Sequence, residues 1–116
     1  MLSLRWETVE QEKIHEGVQR QVIWGQQGTA ARFQFARGTH VSAHSHAAEQ
    51  FTCMLEGAMR IRMANEETIL RAGDILVIPG GVEHEVWVEE DAVVLDFFAP
   101  SREDWKQGRH QYLTGR

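Results

Sequence analysis

Through the middle of the chain, apolar residues recur in short runs with period two, broken by glycine-bearing turns, and the helical period is missing. The pattern predicts strands at residues 22–24, 30–36, 50–55, 59–63, 68–71, 75–78, 84–88 and 93–99. Turns are expected at Arg37-Gly38, Glu56-Gly57, Ala72-Gly73-Asp74 and Pro79-Gly80-Gly81. In Met59-Arg60-Ile61-Arg62-Met63 the alternation assigns Met59, Ile61 and Met63 to one face and both arginines to the other. That basic face is expected to be a solvated edge; the alternative is contact with an acidic ligand or a partner subunit. Helix is expected only at residues 8–15 and in the tail, where Ser101 before Arg102-Glu103-Asp104 has the form of an N-cap with a carboxylate three residues on. Many short strands at regular spacing argue an all-β sandwich or barrel.

Composition narrows the class. A chain of 116 residues with 42% hydrophobic and 25% charged residues is expected to be one soluble domain, residues 1–116, with no internal boundary. Its net charge of −5 leaves no general basic field for a phosphate backbone, so nucleic acid is not an expected partner. Residues 1–13 mix Arg5, Glu7, Glu10, Glu12 and Lys13 with scattered apolar positions, which fits neither a signal peptide nor a membrane span. The single Cys53 has no partner for an internal disulfide, which suits a reducing compartment, and a cytoplasmic location is expected.

The candidate chemistry begins with histidine. His44 and His46 stand two residues apart, so on an extended segment both imidazoles aim at one point. Imidazole is a general ligand for divalent transition metals, and His84, beyond the Pro79-Gly80-Gly81 turn, is the candidate third ligand. His15, His40 and His110 are read as ordinary surface or core imidazoles.

These residues carry a resemblance. Gly38, His44, His46, Gln50 and Gly57 stand at the spacing of the first cupin motif, and Gly73, Pro79, Gly81 and His84 at that of the second. The chain therefore resembles small single-domain cupins, which implies a jelly-roll (double-stranded β-helix) barrel, here with a short C-terminal helix, one divalent transition metal per chain inside it, and often a homodimer. The resemblance implies His44, His46, Gln50 and His84 as the metal ligands. Two positions depart from the motifs. Gln50 stands where glutamate is usual, and Glu49, one residue earlier, points to the opposite face by strand parity. Val88 replaces the usual terminal asparagine. An amide in place of the carboxylate leaves the ligand set uncharged, so the ion keeps its full positive charge for an anionic ligand. Such a set lends little support to high oxidation states and suits Lewis-acid chemistry.

Asp96 interrupts the apolar run from Val93 to Phe98. It is either paired or at an edge, or else desolvated and poised for proton transfer. The continuation Asp96-Phe97-Phe98-Ala99-Pro100-Ser101-Arg102-Glu103-Asp104-Trp105, together with Gln50, is similar to the pectin-degradation cupins that linearise 4,5-unsaturated monouronates. That resemblance implies Asp96, Phe98 and Arg102 as the catalytic and substrate-lining residues, with Ala99 where serine is common. It also implies a small sugar-acid substrate, with Asp96 shuttling protons, Arg102 meeting the carboxylate and Phe98 covering the apolar side of the sugar. The other readings are a non-catalytic metal- or sugar-binding sensor and a dioxygenase or isomerase of another small acid. The metal is left open among nickel, zinc, iron, manganese and copper. Trp87, of opposite parity to His84, is expected to face away from the metal, and Trp24, Phe33 and Phe35 to serve core or subunit contact.

Overall fold

The computed structural model describes residues 1–109 and 111–114. Eight strands carry the fold: β1 (Glu12–His15), β2 (Val18–Trp24), β3 (Thr29–Phe35), β4 (His40–His44), β5 (Glu49–Met63), β6 (Glu66–Arg71), β7 (Ile75–Ile78) and β8 (His84–Ala99). All pairings are antiparallel, in the order β1-β2-β3-β8-β5-β6, with β4 added on β8 and β7 on β5. This is the all-β arrangement that the alternation predicted, in the jelly-roll form that the resemblance to cupins implied.

Two strands are longer than the pattern implied. The runs at 84–88 and 93–99 are one strand, β8, whose inner face carries His84, Val86, Val88, Ala92, Val94, Asp96 and Phe98. The runs at 50–55 and 59–63 are likewise continuous in β5, and the expected turn at Glu56-Gly57 is a bulge within it. The bulge changes strand parity: the inward set is Gln50, Thr52 and Met54 before it, and Met59 and Ile61 after it. Gly57 makes this possible. Its φ is +83°, and a Cβ there would lie 2.1 Å from the Asp91 carbonyl oxygen.

The N-terminal segment differs from expectation. In place of a helix at 8–15, a short 3-10 turn (Trp6–Thr8) leads into β1, which pairs with β2. Pairing to an existing sheet edge outweighs a weak local preference for helix. The tail does form one helical turn, α1 (Glu103–Lys106), but its N-cap position is Arg102. Ser101 Oγ instead donates to the Gly25 carbonyl at 3.2 Å, and the Arg102 N–H donates to Thr29 Oγ1 at 3.0 Å.

Inside the barrel, Phe33 and Phe35 stack at 5.0 Å in a core with Val18, Met54, Met59, Ile61 and Val94. Both phenylalanines are thus core, while Trp24 is exposed with Lys106 Nζ 4.7 Å above its ring. Trp87 faces outward between His40, stacked on it at 5.5 Å, and the Arg60 guanidinium 4.2 Å from its centroid. The basic face of β5 is neutralised within the chain: Arg60 pairs with Glu67 and Glu89, and Arg62 with Glu83 and Glu85. Among the described residues, no helix is long and apolar enough to cross a membrane.

Candidate metal centre and active site

His44 ends β4, His46 follows in the loop to β5, and His84 opens β8. Their ligand nitrogens lie within 4.8 Å of one another. The His46 loop is held against the Pro79-Gly80-Gly81 turn by Gly81 N–H donating to the His46 carbonyl at 2.8 Å. Gly80 is required there, since a Cβ would sit 2.4 Å from the Ala47 carbonyl oxygen.

Hydrogen bonding sets the tautomers. Nδ1 of His44, His46 and His84 meets the carbonyl of Ser42, Ala48 and Val82 at 2.8, 2.8 and 2.9 Å. A carbonyl only accepts, so each Nδ1 carries the proton and each Nε2 presents a lone pair. Burial pushes His44 down to about 3 and His84 to about 4, helped for His44 by the adjacent His84. His46 is lowered by burial and by Arg102. All three are neutral donors at neutral pH.

Two further observations fit a cation. His84 Nε2 is buried without a hydrogen-bond partner, a costly state for a polar atom unless an ion uses it. The Gln50 amide directs Nε2 to Thr52 Oγ1 at 2.8 Å and places its carbonyl oxygen 3.0 Å from His46 Nε2. Two lone pairs face each other at that contact, and a cation bound to both relieves their repulsion. Gln50 is buried and Glu49, on the other face of β5, is exposed, as strand parity predicts. The donor set therefore suits a divalent transition metal and contributes no formal charge.

The same cavity, of about 40 Å³, is lined by His44, His84, Gln50, Thr52, Asp96, Phe98, Arg102 and Tyr112. Asp96 stands opposite Thr52 in the β5–β8 register and opposite Ala31 on β3, so it is enclosed from both sides. Its Oδ1 is buried without a partner. Burial raises its carboxyl to about 6, against smaller lowering influences from Thr52, Gln50 and Arg102. Phe98 lies edge-on to His46 at 5.7 Å, and the Arg102 guanidinium sits 4.8 Å from the Phe98 centroid and 4.3 Å from that of Trp105.

Arg102 is engaged more fully than its sequence context implied. Its Nε and Nη2 donate to both carboxylate oxygens of Asp104, at 2.9 and 2.7 Å, and Nη2 also donates to the Tyr112 hydroxyl at 2.8 Å. One bidentate edge of the fork is therefore occupied from within the chain. Tyr112 has no counterpart in the motif reading. Its ring stacks on His44 at 3.9 Å and 16°, a contact with no local signal beyond an aromatic residue in a polar tail. His15 is exposed, His40 pairs with Glu85 at 2.5 Å, and His110 lies outside the described residues.

A small antiparallel barrel with three imidazoles brought together within it is the arrangement of a cupin. The chain belongs to that family: the Cupin domain model matches residues 31–98. Among solved structures it is similar to KdgF from Halomonas sp., with 26% identity over 85% of this chain and 94% of that one, at a TM-score of 0.79. It is also similar to an RmlC-like cupin from Shewanella frigidimarina, with 28% identity over 85% and 90% of the two chains, at a TM-score of 0.80. Oxalate decarboxylase of Bacillus subtilis shares the fold at 16% identity and a TM-score of 0.76, over 84% of this chain and 29% of that one. No curated protein sequence matches the chain.

Proposed function

We propose that the protein is a metal-dependent enzyme that converts 4,5-unsaturated uronate monosaccharides to their linear 5-keto-4-deoxyuronate forms, with His44, His46, Gln50 and His84 as metal ligands. The observation that carries the reading is a cavity that brings His44 and His84, two members of an uncharged trihistidine set, together with a buried Asp96 raised to about 6. The resemblance of Gln50 and of residues 96–105 to pectin-degradation cupins supports it, as does the likeness to KdgF.

The residues suit the steps. In a 4,5-unsaturated uronate the ring oxygen is an enol ether, so loss of the proton on the anomeric hydroxyl and cleavage of the C1–O5 bond give an aldehyde and an enolate. Asp96 accepts that proton as a carboxylate. It then returns a proton to C4, and the enolate becomes the 5-ketone. A carboxyl near 6 populates both forms near neutral pH, as such a shuttle requires. Phe98 supplies an apolar wall, and Arg102, held by Asp104 and backed by Phe98 and Trp105, supplies a fixed positive charge for the anion. A divalent ion held by the histidines would add Lewis-acid stabilisation of the developing negative charge.

Metal-loaded protein mixed with an unsaturated monouronate is expected to accelerate loss of the conjugated absorbance over the buffer reaction. Equal rates with and without protein would overturn the reading and leave a binding module.

The reading includes a homodimer acting in the cytoplasm, in keeping with the unpaired thiol of Cys53. Phe51 stands opposite both Val77 and Phe97 in the register, and all three are exposed beside Leu55 and Ile75, which makes an apolar row across β7, β5 and β8. A second copy seated there would cover it. Sedimentation of the wild type as a dimer and of Phe97→Glu as a folded monomer is the expected result; a monomeric wild type at micromolar concentration rejects it.

A further inference from the structure

A groove of about 570 Å³ runs outside the barrel mouth, lined by His46, Pro100, Arg102, Asp104, Arg109 and Tyr112 among others. Its size is that of a small-molecule site, roughly 300–1,000 Å³. The inner cavity of about 40 Å³ has room for little more than a water molecule or two, each occupying roughly 30 Å³ of liquid. His44 and His84 line the cavity, His46 lines the groove, and among the described residues only Arg102 and Tyr112 line both. The trihistidine set thus straddles a wall built from two side chains.

Of the two, Arg102 is tied to Asp104. Tyr112 is tied by its hydroxyl, which accepts from Arg102 Nη2 at 2.8 Å and Trp105 Nε1 at 2.6 Å, and by its ring on His44. Leu113, buried beside it, lines the inner cavity and anchors the segment. A sugar acid in the groove meets the histidines from the His46 side, and the Tyr112 ring narrows its way to the space over His44.

We propose that Tyr112 is a specificity-determining residue: its ring separates the outer groove from the metal cavity and sets the size of anion that reaches the three histidines. The inference rests on the reading of this cavity as a ligand site, and not on the identity of the substrate. The ring hinders a small carboxylate less than a hexuronate, which lies mostly in the groove with only its reacting end past the ring toward His44 and Asp96. The stack on His44 and the buried neighbour Leu113 keep the ring in place, so the ring's bulk, and not its hydroxyl, sets the limit.

The test uses cobalt-loaded full-length protein, whose visible absorption bands report the ion's surroundings without turnover. Titration with acetate and with saturated galacturonate yields the ratio of their dissociation constants. Tyr112→Ala is expected to shift that ratio at least about tenfold toward galacturonate. Tyr112→Phe, which keeps the ring, is expected to leave it within about twofold, and Tyr112→Trp to move it toward acetate. Unperturbed cobalt bands before titration show that the trihistidine set is intact. If Tyr112→Ala does not hold cobalt, the Trp and Phe variants decide the matter. A ratio unchanged in both Ala and Trp variants, a Phe variant that behaves like Ala, or bands that respond to neither anion would each overturn the inference. A wild type without uronate turnover leaves this test standing, and an unchanged ratio leaves the turnover reading standing.

Discussion

Asp96→Asn is expected to lower kcat on unsaturated uronate by about 10²–10⁴-fold, the usual contribution of a positioned general acid–base group, with a smaller change in KM. The amide keeps the shape of the side chain and still reaches Thr52 and Gln50, but it cannot carry a proton from the anomeric oxygen to C4. The same substitution is expected to stabilise the metal-free protein at neutral pH. Burial raises the Asp96 carboxyl from 3.8 to about 6, so the folded state binds its proton more tightly than the unfolded chain does. The stability linked to that proton is fully present below pH 3.8 and is lost as pH rises through about 6. Asparagine does not titrate. The variant's advantage should therefore be small near pH 4 and grow to as much as about 3 kcal/mol above pH 7. Urea midpoints of metal-free wild type and variant between those limits measure it. An offset that does not change with pH would show that Asp96 is not the desolvated acid described above. Full activity in the variant would remove it from the proton path.

His84→Ala is expected to abolish metal retention, as measured by metal content after gel filtration. His84 Nε2 is the most enclosed of the three donors and is buried without a protein partner. It opens β8 opposite both His44 on β4 and Met63 on β5, which fixes its place in the ligand set. Loss of metal affinity should exceed the roughly 10–100-fold typical of altering a residue that only supports a ligand. Gln50→Ala should weaken binding by a smaller factor, because a neutral carbonyl is a weaker ligand than imidazole for these ions. Glu49→Ala should change nothing, since that side chain is exposed on the far side of the strand. Metal release by Glu49→Ala alone would reverse the assignment of Gln50.

The two sets of variants separate the roles of charge and metal. Asp96→Asn should retain the metal and lose turnover. His84→Ala should lose both. A protein in which Asp96→Asn sheds metal would place that carboxylate among the ligands and remove the premise of an uncharged set.

Much of the site was legible from residue order because its logic is local. The alternation of apolar and polar residues reports which side chains share a face of a strand, and this is why Asp96 and Phe98 could be assigned to one face and Glu49 separated from Gln50. The direction of both β5 residues followed from counting alone. The glycine and proline spacings mark turns for which backbone conformation admits few residue types, so they survive as a readable signal of the family.

Local pattern does not report which segments meet or how far a strand continues. The β5 bulge at Gly57 looks like a turn in sequence, because a glycine at positive φ serves either. Only pairing with β8 on both sides of it makes one strand. Residues 8–15 have a weak intrinsic preference, and the edge of β2 decides their form. Arg102 reads either as a fork for substrate or as the partner of a nearby acidic residue, and the folded tail gives one edge of it to Asp104. Tyr112 reads as a stray aromatic until the chain brings its ring onto His44.

The sequence by itself determined the all-β class, which side chains share a strand face, the trihistidine spacing and an amide in place of a carboxylate at position 50, since each depends on period-two geometry or on turn chemistry within a few residues. Only the tertiary structure decided how the site is enclosed: the unpartnered Nε2 of His84, the raised carboxyl of Asp96, and the Arg102–Tyr112 wall. Desolvation and stacking depend on atoms distant along the chain, and they exist only once the barrel has closed around them.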